Sequence, residues 1–312
     1  MRFLSQPRNI DFLKVRKVTG LVSIVLVVLS LGSLFTKGLN FGIDFTGGVL
    51  VEVEYPTPPD LNQVRATLEQ GGFGGAVVQN FGSAQDVLVR LLPQDNISSA
   101  QLSEQILGVL QAANSGVELR RIEYVGPQVG EELAVNGGLA MLWALGCIFV
   151  YIVFRFHWKF SAGAVAALGH DVILTLGAFS VFGWDFDLAV LAAVLAVIGY
   201  SLNDTIVVFD RCRENFRRKG AGDEVSTMNR AINEMLSRTL MTSLTTLLVL
   251  GALFTIGGEA LTGFSLALIL GVIIGTYSST YVAGASALAL GLQREDLIPV
   301  QIEEGDDSGA RV

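Results

Sequence analysis

Six apolar runs divide this chain, and their length leaves few folds open to it. A helix needs about 20 predominantly apolar residues to cross the hydrocarbon core of a bilayer. The runs cover approximately residues 18–35, 133–154, 162–182, 188–208, 240–256 and 262–290. With 51% apolar and 16% charged residues and a mean hydropathy of +0.54, the composition excludes an ordinary soluble domain. We predict an α-helical membrane protein with six transmembrane helices.

Lys and Arg are concentrated in every second link between these runs. The basic links are the N-terminal tail and the links after the second and fourth runs, with Arg2, Arg8, Lys14, Arg16, Lys17, Arg155, Lys159, Arg211, Arg213, Arg217, Arg218, Lys219, Arg230 and Arg238. The alternate short links hold Asp185, Asp187 and Glu259 and no basic residue. Because basic links stay on the cytoplasmic side, we expect both termini to be cytoplasmic. No small-x-small cleavage site follows the first run, so we expect an uncleaved anchor.

The charge and cysteine content exclude some partners and sites. The net charge of −8 argues against nucleic acid as a partner. Part of that charge comes from an acidic tail, residues 293–312, with Glu303, Glu304, Asp306 and Asp307. Cys147 and Cys212 share no plausible disulfide or metal spacing, so we interpret both as packing or incidental residues.

One polar segment, residues 38–130, is long enough to fold outside the membrane. Its pattern predicts strands at 49–55, 76–81, 87–92 and 117–125, with helices from Leu61, capped by Asp60, and over 99–113. This β-α-β-β-α-β order is the split βαβ of ferredoxin-like domains. The segment has no metal cluster, phosphate loop or nucleophile triad, so we expect no catalytic site and no bound metal. The remaining segments are residues 1–37, the tail and first membrane helix, and residues 131–292, five membrane helices with a cytoplasmic link at 209–238.

Asp204 is the one ionisable side chain within the fourth run. At 1.5 Å of helix rise per residue, it lies about 9 Å inside the boundary marked by Asp210 and Arg211. A carboxylate at that depth costs on the order of 2.5–3.5 kcal/mol on insertion scales, so such an acid normally faces a bundle interior and marks an ion or proton path. Protonation removes that cost. We therefore predict that Asp204 takes up a proton from one side and releases it to the other.

Three motifs extend this interpretation. Residues 40–48 read Asn-Phe-Gly-Ile-Asp-Phe-Thr-Gly-Gly, and residues 126–133 read Gly-Pro-Gln-Val-Gly-Glu-Glu-Leu. The third begins with Gly-Tyr-Ser-Leu-Asn-Asp at 199–204 and continues to Arg-Glu-Asn at 213–215. With six spans and one large loop, these motifs resemble the SecF branch of the SecD/SecF family of bacterial protein-translocation accessory proteins. The resemblance covers nearly the whole chain.

The resemblance implies a place in the resistance-nodulation-division superfamily, whose transport unit has twelve spans in two six-span halves. A SecD-like chain would supply the second half in the bacterial inner membrane. The implied function is to use proton motive force to assist preprotein translocation after SecA and the SecYEG translocon have moved the preprotein, with YajC as a further partner. No cofactor is implied, because protons are the coupling ion. Asp204 and Arg238 would conduct them.

Several supporting residues have two interpretations each. Arg238 and Thr242 form a polar stripe at i, i+4 spacing, but hydroxyl residues also hold membrane helices together and a terminal Arg can anchor topology or meet lipid. Tyr200 and Ser201 lie one turn before Asp204, where their hydroxyls would bond its carboxylate or serve packing alone.

Asp171, with its neighbour His170, and Asp44 also have two interpretations each. His170 and Asp171, near the middle of the third run, would relay protons or fix helix packing as a buried pair. Asp44 lies at the membrane exit, where organising the Gly47-Gly48 turn is a better interpretation than proton chemistry.

Three functions remain open on the sequence. The first is a proton-driven motor half, in which Asp204 titrates, Arg238 modulates its charge and the external domain moves. The second is half of a small-solute or drug exporter of the same superfamily, for which the external domain leaves little room. The third is a non-catalytic assembly subunit with Asp204 and Arg238 as a buried structural pair.

Overall fold

The computed structural model describes residues 10–92, 99–218, 222–258 and 261–296. The elements in chain order are α1 (Arg16–Thr36), β1 (Asn40–Phe41), α2 (Ile43–Thr46), β2 (Gly48–Glu54), α3 (Leu61–Gln70), β3 (Val77–Phe81), β4 (Ser83–Leu91), α4 (Ser99–Ala113), β5 (Glu118–Val125), α5 (Pro127–Arg155), α6 (Trp158–Phe182), β6 (Asp185–Phe186), α7 (Leu188–Arg217), α8 (Glu224–Ile256), α9 (Thr262–Tyr281) and α10 (Ala283–Ala289). Among the described residues, six helical stretches are long and apolar enough to cross a membrane. The predicted helical membrane fold is confirmed.

The link after the fourth apolar run is shorter than the predicted 209–238, because the helices on both sides of it continue into this segment. α7 extends to Arg217, and α8 begins at Glu224. Their extended ends are joined by Glu234, which accepts hydrogen bonds from Arg211 at 2.5 Å and from Asn215 at 2.9 Å. Outside the described residues lie Arg2, Arg8, Lys219, Glu259 and residues 297–312 of the acidic tail, with Glu303, Glu304, Asp306 and Asp307.

The external domain has the predicted split βαβ order. Its antiparallel sheet has the strand order β3-β4-β2-β5, and α3 and α4 pack on one face. The alternation along β2 buries Val49, Val51 and Val53 against residues such as Leu68 and Ile106. Asp60 caps α3 as predicted, because its side chain accepts a hydrogen bond from the backbone N–H of Asn62. The core residues of the domain therefore follow the strand and helix periodicities of the sequence.

Two glycine motifs join the domain to the bundle by direct backbone contact. Gly47 (φ 67°) and Gly48 (φ 125°) adopt the left-handed conformations that favour glycine, so the predicted turn is present. A Cβ on Gly47 would lie 2.9 Å from the Cα of Pro127, and one on Gly130 would lie 2.7 Å from the nitrogen of Gly47. A larger residue at either position would push α5 away from the turn.

The α6–α7 turn forms a second connection to the domain. β1 pairs in parallel with β6, with Asn40 opposite Asp185 and Phe41 opposite Phe186. Asp185 also accepts hydrogen bonds from Asn40 and, at 2.8 Å, from Gln79 on β3. The domain is therefore held to the bundle at the same end at which α7 begins. We call this end of the bundle the domain side, and the opposite end, where α7 ends and α8 begins, the basic side.

Close packing in the bundle centres on α7, which contacts α6, α8 and α9. The α7–α9 contact uses glycines on α9: Gly271 faces the Val197 side chain, and a Cβ on Gly275 would lie 3.0 Å from the Cβ of Ser201. Cys147 is exposed on α5 and Cys212 is buried in α7, so a packing role fits Cys212 alone.

Substituting Gly271→Ala should destabilise the bundle, because the new methyl group would overlap the Val197 side chain. Overpacking of this kind costs about 1–3 kcal/mol. The matched control is Gly251→Ala on α8, where an added Cβ meets no atom within 4 Å. The thermal midpoint of the detergent-solubilised protein should fall for the first variant and hold for the second. Equal midpoints would contradict the close α7–α9 contact.

Candidate functional site

The Asp171 carboxylate is fully buried and is the centre of a polar cluster in the bundle. Its Oδ2 accepts hydrogen bonds from the Ser201 hydroxyl of α7 and, at 2.6 Å, from the Ser278 hydroxyl of α9. Its Oδ1 accepts one from His170 Nδ1 at 2.8 Å. Three helices therefore supply donors to one carboxylate. This arrangement satisfies the group in a low-dielectric interior, where an unpaired carboxylate would be expensive.

His170 is buried beside Asp171, and only one of its ring nitrogens has a partner. Nε2 is buried and makes no hydrogen bond within the described part of the chain. The ring lies over Tyr277 of α9, with centroids 6.0 Å apart and planes at 29°. The Tyr277 hydroxyl donates to the Thr19 carbonyl of α1 at 2.9 Å and lies 3.0 Å from the Ser23 hydroxyl. The predicted pair thus exists, and it connects α6 to α1 and α9.

Asp204 is buried in α7 but is left incompletely bonded. Its side chain is 3% exposed, and Oδ2 has no hydrogen-bond partner among the described residues. Ser201, predicted to bond Asp204, donates to Asp171 instead. Tyr200 also bonds elsewhere: its hydroxyl lies 3.5 Å from that of Ser243 on α8. Of the two interpretations of Tyr200 and Ser201, direct bonding to Asp204 is therefore not observed, and the charged form of Asp204 is correspondingly costly.

Arg238 is the cation that interacts with Asp204, and it does so through space. Its side chain is exposed on α8, in contrast to the buried carboxylate. Thr242 does not extend the site, because its hydroxyl donates to the carbonyls of Arg238 (3.1 Å) and Thr239 (3.0 Å) on its own helix. A buried anion thus faces an exposed cation on a neighbouring helix.

The hydroxyls of α9 are the site residues that sequence reasoning missed. Ser278 bonds Asp171, and Thr276 pairs with Ser243 at 2.7 Å. The sequence does contain a signal for them. Gly271, Gly275 and Ser278 are spaced four and three residues apart, which places them on one face of α9, and small residues on one face indicate close helix packing.

Asp44 has a different role from the predicted organisation of the glycine turn. Its Oδ2 accepts a hydrogen bond from the backbone N–H of Leu188, the first residue of α7, at 2.9 Å. Asp187 caps the same helix by accepting from the Val190 N–H at 2.7 Å. Burial raises the pKa of Asp187, the Val190 hydrogen bond opposes the rise, and the carboxylates of Asp44 and Asp185 add to it. Two carboxylates therefore stabilise the domain-side end of α7.

Comparison with known proteins identifies relatives over nearly the whole chain. A family model described as the C-terminal region of the protein export membrane protein SecD/SecF matches residues 105–293, and one described as the SecD/SecF GG motif matches residues 32–58. The chain is 51% identical to the protein translocase subunit SecF of Vibrio alginolyticus, covering 97% of this chain and 96% of that protein. It is 52% identical to that of Pseudomonas aeruginosa, covering 96% and 97%.

Solved structures give the same result for the fold. The crystal structure of SecDF, a translocon-associated membrane protein from Thermus thermophilus, superposes with a TM-score of 0.84 at 37% identity over 93% of this chain. A crystal structure of SecDF in the super-membrane-facing form superposes with a TM-score of 0.66 at 39% identity over 90%. This chain spans 39% and 38% of those longer chains.

Removing one donor to Asp171 should destabilise the bundle. Ser278→Ala leaves the buried carboxylate with one donor fewer, at a cost of about 1–3 kcal/mol. Ser279→Ala is the matched control, because the neighbouring Ser279 is equally buried and its hydroxyl donates only to the Thr276 carbonyl of its own helix. Thermal unfolding in detergent should separate the two variants. Equal destabilisation would mean that Ser278 acts through packing alone.

Proposed function

Because this chain belongs to the SecD/SecF family of protein export membrane proteins and matches SecF translocase subunits over nearly their whole length, we propose that it uses proton motive force to assist preprotein translocation. It would act on preproteins already moved by SecA through the SecYEG translocon, in the bacterial inner membrane, with YajC as a further partner. The basic side of the bundle would face the cytoplasm. Protons are the coupling ion, and no cofactor takes part.

The observation that carries this proposal is the state of the Asp204 carboxylate. It is buried at membrane depth with one oxygen unbonded, so its charged form is costly and its neutral form is not. Such a group changes the stability of its surroundings each time it binds or releases a proton. A proton crossing 100 mV yields about 2.3 kcal/mol, which is enough to bias an element with two closely balanced states.

An uncovered face on α7 and α8 supports a SecD-like partner. On α7 the exposed residues Ala192, Ala196, Gly199 and Asn203 follow one stripe next to Asp204. Small residues at this spacing allow close helix approach in membranes. Arg238 and large apolar residues such as Leu248 are exposed on α8. We infer that a second six-span half covers this face and encloses Arg238 beside Asp204.

Movement of the external domain is the proposed output of proton binding. The two SecDF structures match this chain at nearly equal identity and coverage but with TM-scores of 0.84 and 0.66. A difference of this size at constant sequence similarity supports a change in the arrangement of parts. The glycine contacts at Gly47 and Gly130 provide a joint of small cross-section between the domain and α5.

Asp204→Asn should abolish the stimulation of export by proton motive force while leaving membrane insertion and assembly with the partner intact. Asparagine keeps the shape of the side chain and cannot titrate. The control is Asp210→Asn on the same helix, which loses part-exposed ion pairs with Arg155 and Arg213 and should stay active. Preprotein translocation into inverted membrane vesicles, with and without an imposed gradient, gives the measurement. Full gradient-dependent export by Asp204→Asn would remove Asp204 from the mechanism, whereas loss of assembly would favour the structural-pair alternative.

Arg238→Lys should keep part of the activity, and Arg238→Met should keep almost none. If Arg238 acts on Asp204 through its charge, any cation at this position retains some function. The same vesicle assay measures both variants, with membrane topology checked by protease accessibility. Normal export by Arg238→Met would leave Arg238 with a topology role only.

A further inference from the structure

A cavity of about 770 Å³ enters the bundle from the basic side. It lies between α1, α10 and the start of α8, and its charged lining residues are Arg16, Lys17 and Glu224. These three residues stand at the ends of their helices, where water reaches a membrane protein. The deeper wall is largely apolar and includes Gly20, Ser23 and Val28 of α1. The cavity therefore leads from the water-exposed end toward the middle of the membrane.

His170 forms part of the wall of this cavity. Its side chain is 5% exposed, and its unbonded Nε2 is buried. The opposite nitrogen, Nδ1, bonds the Asp171 carboxylate at 2.8 Å. An imidazole placed in this way bonds a buried acid through one nitrogen and has no partner for the other among the described residues. Imidazole is the side chain best suited to exchange protons near neutral pH.

Asp171 is connected in turn to the helix that carries Asp204. Ser201 donates to Asp171, and it lies three residues before Asp204 on α7. Residues at this spacing are neighbours on a helix surface, with about 5–6 Å between their Cβ atoms. The sequence of groups is thus Asp204, Ser201, Asp171, His170 and the cavity.

We propose that His170 and Asp171 form a second proton-carrying station, which passes protons between Asp204 and the cavity on the basic side. This inference rests on the proposed proton-driven function and assigns the route by which the proton reaches the cytoplasm.

Each cycle moves one proton from Asp204 to the cavity. A proton that leaves Asp204 neutralises Asp171 by way of Ser201 and a water molecule. Asp171 gives the proton to the ring nitrogen that faces it, on a ring whose only hydrogen is on the nitrogen facing the cavity, which forms an imidazolium and restores the carboxylate. The imidazolium then releases its cavity-side proton to water, which leaves the observed state, with Nδ1–H bonded to Asp171. Rotation of the ring by half a turn then exchanges the two nitrogens, so that the bare nitrogen faces Asp171 and the N–H faces the cavity for the next proton.

Ionisable groups surround His170 on several helices. Asp171 bonds it from its own helix, and the Tyr277 ring of α9 stacks against it. The cavity beside it is also lined by Tyr281 of α9, by Arg16 and Lys17 of α1 and by Glu224 of α8, and α10 contributes no ionisable group among the described residues. The cavity end of the route therefore carries two cations and one carboxylate.

Chemical rescue tests this station directly. His170→Ala, in the full chain assembled with its partner in inverted vesicles, should lower gradient-stimulated export by about tenfold or more, because a positioned proton shuttle contributes on the order of 10²–10⁴-fold. Imidazole added on the exposed basic side should restore export. Pyrazole has the same size but is a far weaker base, and it should not. Wild-type protein with imidazole controls for effects on the gradient itself.

The alternatives give distinct outcomes. Normal export by His170→Ala, or equal rescue by pyrazole, would overturn the proposal, since pyrazole restores only volume. His170→Asn, which keeps a donor for Asp171 but cannot titrate, should be as impaired as His170→Ala, and its normal activity would also overturn the proposal. Asp204→Asn should not respond to imidazole. Gradient-dependent export in Asp204→Asn would refute the proposed function, whereas loss there with normal His170 variants would refute only this route.

Two substitutions on α1 test the route independently, in case the His170 variants fail to fold. Gly20 lines the cavity, and an added Cβ there meets no atom within 4 Å. Gly20→Leu should therefore place a bulky side chain in the cavity and slow gradient-stimulated export several-fold. Gly32→Leu on the same helix also meets no atom within 4 Å and lies outside the cavity lining, so it should be neutral. Equal activity of the two variants would contradict passage of protons through this cavity.

Discussion

The cost of holding a charge in the low-dielectric core of the membrane is the constraint on which this bundle depends. Asp171 meets it with hydrogen bonds from Ser201, Ser278 and His170, so its carboxylate can persist fully buried. Asp204 meets it only in part, because one oxygen has no donor. The two acids lie on neighbouring helices of one bundle, yet one is solvated by the protein and the other is not. Asp171 is therefore a carboxylate that the protein itself stabilises, whereas the charged form of Asp204 receives less help from its surroundings.

Close helix approach is what makes the solvation of Asp171 possible. Serine hydroxyls are short, so they reach a carboxylate on another helix only when the backbones nearly touch. Gly271 and Gly275 of α9 accept the side chains of Val197 and Ser201, which brings α7 and α9 together beside α6. The glycines therefore allow α7 and α9 to approach closely, and at this helix separation the serine hydroxyls can hydrogen-bond the buried Asp171 carboxylate.

Local signals were enough to predict the architecture, whereas the pairing of side chains across helices was not predictable. Apolar length gave the six spans, strand alternation gave the split βαβ domain, and an acid in an apolar run identified Asp204 and Asp171. Helix proximity makes Asp204 one possible partner of Ser201, but the hydroxyl donates to Asp171 of α6. A hydroxyl on a membrane helix can bond its own backbone, as Thr242 does, so its sequence position does not reveal its partner.

The path from Asp204 to the external domain runs through one continuous helix. α7 extends from Leu188 to Arg217, so a shift of the helix at Asp204 would move its domain-side end as well. That end is held by Asp44, which belongs to the segment entering the domain and accepts a hydrogen bond from the Leu188 N–H. The parallel pairing of β1 with β6 holds the same junction. Because rigid helices transmit displacement with little loss while single hydrogen bonds yield readily, the junction at Asp44 is where a motion of the bundle would be either passed to the domain or absorbed.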